Sequence, residues 1–312
     1  MFFVKKIGYL AIAYWGCQLY KNVFQRVYKV FFTPDCNIDL KKMGKWCMVA
    51  GCTQGIGRAY VEALAKRRMC VVLVDAPSNN LYKFAKFIES SYNVQTKIIE
   101  LDISKEYIRY EIIEGVINDL EIGVLINNLN LSHDLHPEYF LDLNDNERIY
   151  NDIIRCNITV FTNICRILLP QMVERKRGVV VNIASTFAVI PSPLMTVFAA
   201  SKAYVIKFSK DLAVEYEKSG VTIQCLCPAS ISTNISDTVS DGWITPHPKK
   251  YVESAIATIG KDNITTGYFS HTILIGFLKL VHHLSSTTLI EWILTFMQRN
   301  RRRALHKYIN NN

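Results

Sequence analysis

Short apolar runs separated by amphipathic stretches dominate the chain from residue 46 onward. Each run has four to six residues, rich in Val, Ile and Leu and mostly without polar alternation, as in strands buried on both faces of a sheet. Helical patterns fill the gaps between runs, for example at Gly57–Arg67 and Ala199–Tyr216. This alternation predicts an α/β fold with a doubly wound parallel sheet. The predicted strands are Trp46–Ala50, Cys70–Val74, Thr96–Leu101, Val124–Asn127, Val179–Ala184 and Thr222–Cys227.

Two regions outside this alternation are apolar in a different way. Ile7–Tyr20 has 14 uncharged residues between lysines, which is short for a bilayer span of about 20 residues. No small-residue cleavage site follows it, so we favour an uncleaved anchor or an interfacial helix over a signal peptide. Beyond Pro246, helical spacing of apolar residues over 277–284 and 290–297 predicts two amphipathic helices. These helices could pack on the domain, line the entrance to a substrate pocket or lie on a bilayer.

The breaks in pattern divide the chain into four predicted segments. Residues 1–45 form an apolar, basic anchor segment, and residues 46–245 form the α/β domain. Residues 246–298 form a helical region that faces a substrate or a membrane, and residues 299–312 form a basic tail.

Positive charge is concentrated at the two ends of the chain. Residues 1–45 hold eight basic and two acidic residues, and residues 299–312 hold five basic ones. Because the whole chain has a net charge of +9, residues 46–298 carry −2. A nucleic-acid binder more often carries its basic residues on the folded body, so we expect no nucleic-acid partner. Basic ends beside apolar segments suit an anionic membrane surface, although they could serve only to keep the protein soluble.

Composition narrows the class of protein further. Half of the residues are hydrophobic and 20% are charged, which excludes a disordered chain. The nine cysteines are scattered without a CxxC pair, and several lie inside apolar runs. We therefore expect neither a disulfide framework nor a metal site, and we expect a reducing compartment.

A glycine-rich turn follows the first predicted strand. Glycines here let the backbone turn sharply and approach a pyrophosphate, and the next helix directs its free N–H groups at the phosphates. Three glycines are weak evidence alone, but a strand before and a helix after them strengthen the prediction of a dinucleotide site. The candidate contact residues are Gly51, Thr53, Gln54, Gly55, Ile56 and Gly57.

An acidic residue, Asp75, ends the second predicted strand 18 residues beyond Gly57. A carboxylate at this place can accept hydrogen bonds from the ribose hydroxyls of the adenosine half, and it repels a 2′-phosphate. Residue 76 is Ala rather than Arg, so we predict NAD(H) in preference to NADP(H). Alternatively, Asp75 only caps the loop.

The order of these motifs resembles the short-chain dehydrogenases/reductases, within them the branch of 17β-hydroxysteroid dehydrogenases and very-long-chain 3-oxoacyl-CoA reductases. The resemblance covers about residues 45–240 and implies a single Rossmann-like domain. It implies that Asn157 orders a proton-relay water and that Ser185 polarises a substrate carbonyl. It further implies cofactor contacts from Asp102, Asn128, Lys202, Pro228 and Thr233. The sequence departs from the family pattern at Ala50, Asn130 and Ala229, which replace Thr, Gly and Gly respectively.

The largest departure lies in the family's Tyr-x-x-x-Lys motif, which reads Phe198-Ala-Ala-Ser-Lys202 here. The family phenol exchanges a proton with the substrate oxygen, and Phe has no hydroxyl. Loss of a general acid costs about 10²- to 10⁴-fold in rate, and loss of an oxyanion donor costs about 3 kcal/mol more. Neither Ser185 nor Tyr204, six residues on and facing away, offers an evident substitute. The pattern also resembles the inactive hydroxysteroid dehydrogenase-like protein 1 group.

We therefore expect a membrane-associated protein that binds NAD(H) and a steroid or fatty acyl ligand, with impaired catalysis. One alternative is a working oxidoreductase for hydroxysteroids or 3-oxoacyl-CoA thioesters, and another is a scaffold with an empty site in which Phe198 only fills the core. By resemblance we expect a homodimer and the endoplasmic reticulum, with the mitochondrion as the rival organelle.

Overall fold

The computed structural model describes residues 38–103, 108–132, 137–143, 145–232 and 242–311, with isolated positions between residues 6 and 32. Half of the residues of the predicted anchor Ile7–Tyr20 lie outside these residues, and so does the predicted cofactor contact Thr233.

Seven parallel strands form one sheet in the order β3-β2-β1-β4-β5-β6-β7. The predicted α/β class and doubly wound parallel sheet are confirmed. The strands are β1 (Trp46–Ala50), β2 (Cys70–Asp75), β3 (Thr96–Glu100), β4 (Ile122–Asn127), β5 (Gly178–Ile183), β6 (Val221–Leu226) and β7 (Ile264–Thr265).

Helices connect the strands. The helices are α1 (Leu40–Met43), α2 (Gly55–Lys66), α3 (Asn79–Tyr92), α4 (Glu111–Ile117), α5 (Asn146–Ile154), α6 (Phe161–Glu174), α7 (Thr196–Glu215), α8 (Pro248–Ile256), α9 (Phe269–Leu284) and α10 (Ser286–Asn311). A π-helical turn at Arg155–Val160 joins α5 to α6, and single 3₁₀ turns lie at Thr186–Ala188 and Glu217–Ser219.

Two apolar cores, one on each face of the sheet, explain the lack of polar alternation in the strands. Alternate residues of β1 point to opposite cores: Met48 packs with α4, α6 and α7, and Val49 packs with α2, α3 and α8. Every residue of β1, β4 and β5 is buried. Functional side chains therefore come from the strand ends, from the loops beyond them and from the helices that flank the sheet, and not from the strand interiors.

The strand order reverses between β2–β1 and β4–β5, since β1 pairs with both β2 and β4. In open parallel sheets, a crevice forms at this point outside the carboxyl ends of the strands. The glycine-rich turn after β1 and the segment after β4 meet at this crevice, where the main-chain N–H of Asn128 donates to the carbonyl of Ala50.

The two predicted C-terminal helices are α9 and α10, and they pack on the domain. Their buried residues form a third core with the loop that follows β5. Helix α10 runs to Asn311, so it crosses the predicted boundary between 298 and 299. Arg301 pairs there with the buried carboxylate of Glu138 and lies 5.2 Å from the Tyr139 ring. The apolar residues of the third core are Ile275, Leu278, Leu289, Ile293 and Met297.

Within the described residues, one continuous helix, Asn146–Glu174, has the length and composition to cross a membrane. Half of its most apolar stretch is buried inside the protein, and its residues Val160, Ile164 and Leu168 belong to one of the two sheet cores. Its apolar character is therefore accounted for by packing against the sheet.

Candidate active site

The glycine-rich turn has the backbone conformation that a phosphate cradle requires. Gly51 and Gly55 adopt φ values of +75° and +53°, a region that favours glycine. A Cβ on Gly57 would lie 1.9 Å from the carbonyl oxygen of Gly51, so only glycine fits there. The side-chain amide of Asn128 donates to the same carbonyl at 2.8 Å and fixes the turn to the end of β4.

The start of helix α2 leaves its first N–H groups open to a ligand. Gln54 precedes the helix and makes no side-chain capping bond to it. Thr53, Gly55 and Ile56 are half-buried and Gln54 is exposed. Unpaired N–H groups and the positive end of the helix dipole favour an anionic group at this position.

Asp75 is held in a fixed orientation by the turn. One carboxylate oxygen accepts from the main-chain N–H and the hydroxyl of Thr53, both at 2.8 Å, and the other accepts from the N–H of Ala76 at 2.9 Å. The carboxylate therefore ties the loops after β1 and β2 together, as the capping alternative expects. The side chain is nevertheless half-buried rather than enclosed, so a ribose can still reach it. Asp102 lies beyond the end of β3 and is also half-buried.

Asn157 lies in the π-helical turn and is fully buried. Its carbonyl accepts from the N–H of Leu131 at 2.8 Å. Its amide donates to the Leu131 carbonyl at 2.8 Å and to the Ser201 hydroxyl at 3.0 Å. Both amide hydrogens are therefore used, and the side chain joins the segment after β4 to helix α7. Single π turns occur often at functional sites because they redirect side chains within a helix.

Ser185 and Phe198 lie on either side of Phe187. The Ser185 hydroxyl accepts from the N–H of Phe187 at 3.3 Å and begins the 3₁₀ turn after β5. The rings of Phe187 and Phe198 meet edge to face, with centroids 6.2 Å apart. Phe198 is only 6% exposed, so its ring is packed in the site and presents no polar atom.

Lys202 is the most unusual group of the site because its ammonium is buried. The side chain is 1% exposed, and Nζ donates to the carbonyls of Leu129 at 3.1 Å and Ile183 at 3.4 Å. Nζ also lies 5.8 Å from the centroid of the Phe198 ring. Burial lowers the pKa of Lys202 to about 8, against a smaller opposing effect of the Cys156 and Cys225 thiols.

The segment after β6 closes the site from the other side. Pro228 accepts from the N–H of Thr186 at 3.0 Å, and Ala229 donates its N–H to the ring of His271 at 3.2 Å. His271 was not among the predicted site residues, since its only signal in the sequence is a polar residue near the start of an apolar helix. Ser201, which links Asn157 to the carbonyl of Phe198, was not predicted either.

Tyr204 does not replace the missing phenol. Its hydroxyl lies 2.8 Å from that of Thr162 on α6, and its ring stacks on Phe208. Among the residues that the structure describes, no group of three His, Cys, Asp or Glu side chains could hold a metal ion.

The family model described as short chain dehydrogenase matches residues 45–242 of the chain. The very-long-chain 3-oxoacyl-CoA reductase of Mus musculus is 35% identical over 272 residues, which cover 87% of this chain and 86% of the relative. The inactive hydroxysteroid dehydrogenase-like protein 1 of Pongo abelii is 37% identical over 257 residues, with coverage of 80% and 77%.

Solved structures agree in fold. A structure from a study of 7beta-hydroxysteroid dehydrogenase stereoselectivity superimposes with a TM-score of 0.73 at 22% identity, covering 81% of this chain and 98% of that one. A short-chain dehydrogenase from Sphingobium yanoikuyae in complex with NADPH gives 0.63 at 24% identity, covering 71% and 86%. A 3-oxoacyl-[acyl-carrier protein] reductase with bound NAD from Brucella melitensis gives 0.61 at 23% identity, covering 72% and 91%.

The buried ammonium generates a prediction about stability. Because the pKa of Lys202 is lower in the folded protein than in the unfolded chain, folding is penalised wherever the lysine stays protonated. The penalty is complete below about pH 8 and is relieved between pH 8 and the ordinary lysine pKa. We expect Lys202→Met to be more stable than the wild type at pH 6.5, with a difference that shrinks as the pH rises to 9.5.

Thermal unfolding at a series of pH values measures this difference. Lys207→Met is the matched control, because Lys207 is an exposed lysine on the same helix, paired with Asp211, and its removal should change stability by less than about 0.5 kcal/mol. If Lys202→Met is the less stable protein at pH 6.5, the two hydrogen bonds of the ammonium outweigh the cost of its burial.

Proposed function

Because the chain belongs to the short-chain dehydrogenase family, we propose that it binds NAD(H) at the crevice and has lost most of the family's catalytic power. One observation carries this proposal: the Phe198 ring is buried beside the Lys202 ammonium, and it brings no hydroxyl to the position where the resemblance expects a phenol. The protein would then act mainly as a binder of the dinucleotide and of a lipophilic carbonyl or alcohol ligand.

The residues at the crevice suit a dinucleotide. The cradle of Gly51, Gly55 and Gly57 and the free N–H groups of α2 suit a pyrophosphate. Lys202 lies where the resemblance expects a contact to the nicotinamide ribose, and that role does not require a phenol. When bound, the nicotinamide supplies or accepts a hydride, and the protein must provide the matching proton.

Proton transfer is the step that Phe198 impairs. A substrate oxygen that gains negative charge as hydride arrives needs a donor that can release its proton near neutral pH. The Ser185 hydroxyl can donate a hydrogen bond, but its pKa is too high for efficient proton release. The Lys202 ammonium donates to two main-chain carbonyls instead. We expect residual turnover lower by about 10²- to 10⁴-fold than with a phenol.

Two features favour a lipophilic ligand. The loop after β5 carries Phe187, Val189 and Ile190, and helices α9 and α10 cover it with apolar side chains. The curated relatives include reductases of very-long-chain 3-oxoacyl-CoA. We therefore propose a fatty acyl thioester or a steroid as the ligand class.

A second candidate function is an active, slow oxidoreductase on the same substrates. It is supported by the presence of Asn157, Ser185 and Lys202 at the positions that the resemblance assigns to the family's catalytic residues. In this candidate, a water molecule replaces the hydroxyl of the missing Tyr.

The decisive variant is Phe198→Tyr, which restores one oxygen. If the rest of the site is intact, we expect NADH-dependent reduction of a 3-oxoacyl-CoA thioester or a ketosteroid to rise by about 10²-fold or more, because both the acid and the oxyanion donor return. Turnover is followed by NADH absorbance over a substrate panel, and NADH affinity is followed by fluorescence titration.

The double variant Phe198→Tyr/Lys202→Met is the control and should lose the gain, since the phenol then lacks its neighbouring ammonium. A wild type that turns over as fast as Phe198→Tyr would support the second candidate. Absence of NADH binding in the wild type would overturn both candidates.

Asp75 determines the proposed choice of NAD(H). Its carboxylate is held by Thr53 and Ala76 and carries a negative charge where a 2′-phosphate would lie. We expect NADH to bind at least about tenfold more tightly than NADPH, a difference of about 1.4 kcal/mol. In Asp75→Asn most of this preference should disappear.

Titration with both nucleotides measures the preference. Glu100→Gln is the control, because Glu100 is an exposed acid aligned with Asp75 on the neighbouring strand, and it should leave the ratio of the two affinities unchanged. A wild type that prefers NADPH would contradict the assignment.

Membrane association forms part of the proposal, with the endoplasmic reticulum as the organelle that the resemblance implies. On helix α10, Trp292 and Phe296 stack on each other and are 60% and 50% exposed, and Arg299 and Arg303 continue the same helix face. Aromatic rings followed by arginines are typical of a helix at a membrane–water boundary. Near the start of α9, the ring of Phe269 meets that of Phe32 edge to face, with centroids 6.0 Å apart.

We expect Trp292 to contact lipid. In the full chain reconstituted into vesicles with brominated phosphatidylcholine, Trp292→Phe should remove part of the quenched fluorescence. Trp46→Phe, at a buried position of β1, should leave the quenched part unchanged. An unchanged quenched fraction in Trp292→Phe would show that this face does not touch the bilayer.

The homodimer stays a prediction from the resemblance, and analytical ultracentrifugation of the purified protein would test it.

A further inference from the structure

His271 lies in the first turn of helix α9 and is completely buried. Its Nδ1 accepts the main-chain N–H of Ala229 at 3.2 Å, and its Nε2 lies 2.9 Å from the carbonyl oxygen of Ile244. A main-chain N–H can only donate and a carbonyl can only accept, so Nε2 carries the hydrogen and the ring is neutral. Burial lowers the pKa of His271, against smaller opposing effects of the backbone groups of Ile244 and Ser230.

Both hydrogen bonds of the imidazole go to loop backbone at the carboxyl edge of the sheet. Ala229 lies three residues beyond the end of β6, and Ile244 lies before α8. The neighbouring Ser270 hydroxyl donates to the carbonyl of Trp243 at 2.6 Å. The first turn of α9 therefore holds both ends of the connection between β6 and α8.

Apolar packing alone does not explain why a histidine is buried at position 271. A buried polar ring costs free energy unless both nitrogens are bonded, whereas an apolar side chain fills the same space without that requirement. Ile275 and Leu278 on the same helix provide the apolar packing. The rings of Tyr251 and Tyr268 flank the imidazole, with centroids 5.8 Å and 5.3 Å away, and hold it in one orientation.

We infer that His271 is a positioning residue, which sets the Pro228–Ala229 backbone against the nicotinamide half of the cofactor through its hydrogen bond to Ala229. The inference rests on the proposed function, since the resemblance places Pro228–Ala229 over the nicotinamide. The same segment is fixed from the opposite side by the bond from Thr186 to Pro228. The dinucleotide's adenosine half lies at Gly51 and Asp75 in this proposal, away from His271.

Two near-isosteric variants separate the two hydrogen bonds. In His271→Asn, the side-chain oxygen takes the place of Nδ1 and can still accept from Ala229. In His271→Gln, the amide nitrogen takes the place of Nε2 and can still donate to Ile244, but nothing accepts from Ala229. We expect His271→Gln to weaken NADH binding by about tenfold or more and His271→Asn to weaken it by less than about threefold.

ADP-ribose is the second probe, because it lacks the nicotinamide. Its affinity should stay within about twofold of the wild-type value in both variants. His282→Gln changes an exposed histidine on the same helix and should alter neither affinity. Fluorescence titration for NADH and calorimetry for ADP-ribose give the values, with a melting temperature recorded for each variant.

The outcomes are distinguishable. Equal losses for NADH and ADP-ribose in His271→Gln would overturn the inference, since the residue would then only maintain the fold. Unchanged NADH affinity in His271→Gln would overturn it while leaving the proposed function in place. A wild type that binds neither probe would overturn both.

A measurement on the wild type decides the matter if His271→Gln does not fold. The amide of Ala229 donates into a buried ring, so its hydrogen exchange without cofactor should be strongly slowed relative to the rate of an unprotected amide. Exchange of Ala229 at the rate of an unprotected amide would overturn the inference.

Discussion

The buried ammonium of Lys202 is the interaction on which the arrangement of the site depends. It binds the carbonyl of Leu129, just beyond β4, and the carbonyl of Ile183, at the end of β5. Because Lys202 itself lies on α7, one charged group joins two strand ends and a helix. A protonated amine in this place is costly, and its lowered pKa is the measure of that cost. The two carbonyls offset part of the cost, and an electron-rich ligand near Nζ would offset more.

The free-energy cost of burying the Lys202 ammonium bears on how Phe198 is interpreted. A site that only filled the core would be more stable with an apolar residue at 202, since burial of a lone charge is unfavourable. The chain nevertheless keeps the ammonium, together with the links from Asn157 to Leu131 and Ser201. Loss of the phenol removes a proton donor and leaves these links intact. Under the proposed function, binding and catalysis separate at this site, because binding would depend on the glycine turn, Asp75 and Lys202 while catalysis would also need an acidic hydroxyl.

Much of the fold could be predicted from the sequence, because strands buried in a sheet appear as short continuous runs of apolar residues. The six predicted strands begin and end within two residues of the observed ones. Strands covered on both faces, such as β1, β4 and β5, are largely apolar and easy to predict. The edge strand β3 keeps Lys97 and Glu100 exposed. Strand β7 was missed because two residues, Ile264 and Thr265, do not make a run. The π turn around Asn157 was missed because its apolar spacing does not differ from that of an α-helix.

Residues whose role depends on distant partners could not be found in the same way. Arg301 was assigned to a basic tail by its neighbours in sequence, yet it pairs with Glu138, 163 positions away. His271 meets Ala229 across 42 positions. Short-range pattern carries no information about such contacts, since they arise only when the helices after β7 fold back over the crevice.

The helices after β7 also explain how the site can keep its shape without a catalytic phenol. Helix α9 holds the loop after β6 through His271, and α10 holds Glu138 and Asp142 through Arg301. The Glu138 N–H donates to the carbonyl of Leu194 at 3.1 Å. Through Glu138, helix α10 is therefore also linked to the loop that follows Ser185. Each of these contacts lies outside the proton-transfer step. A substitution at 198 can therefore remove a proton donor while the cover over the crevice is maintained by unrelated interactions.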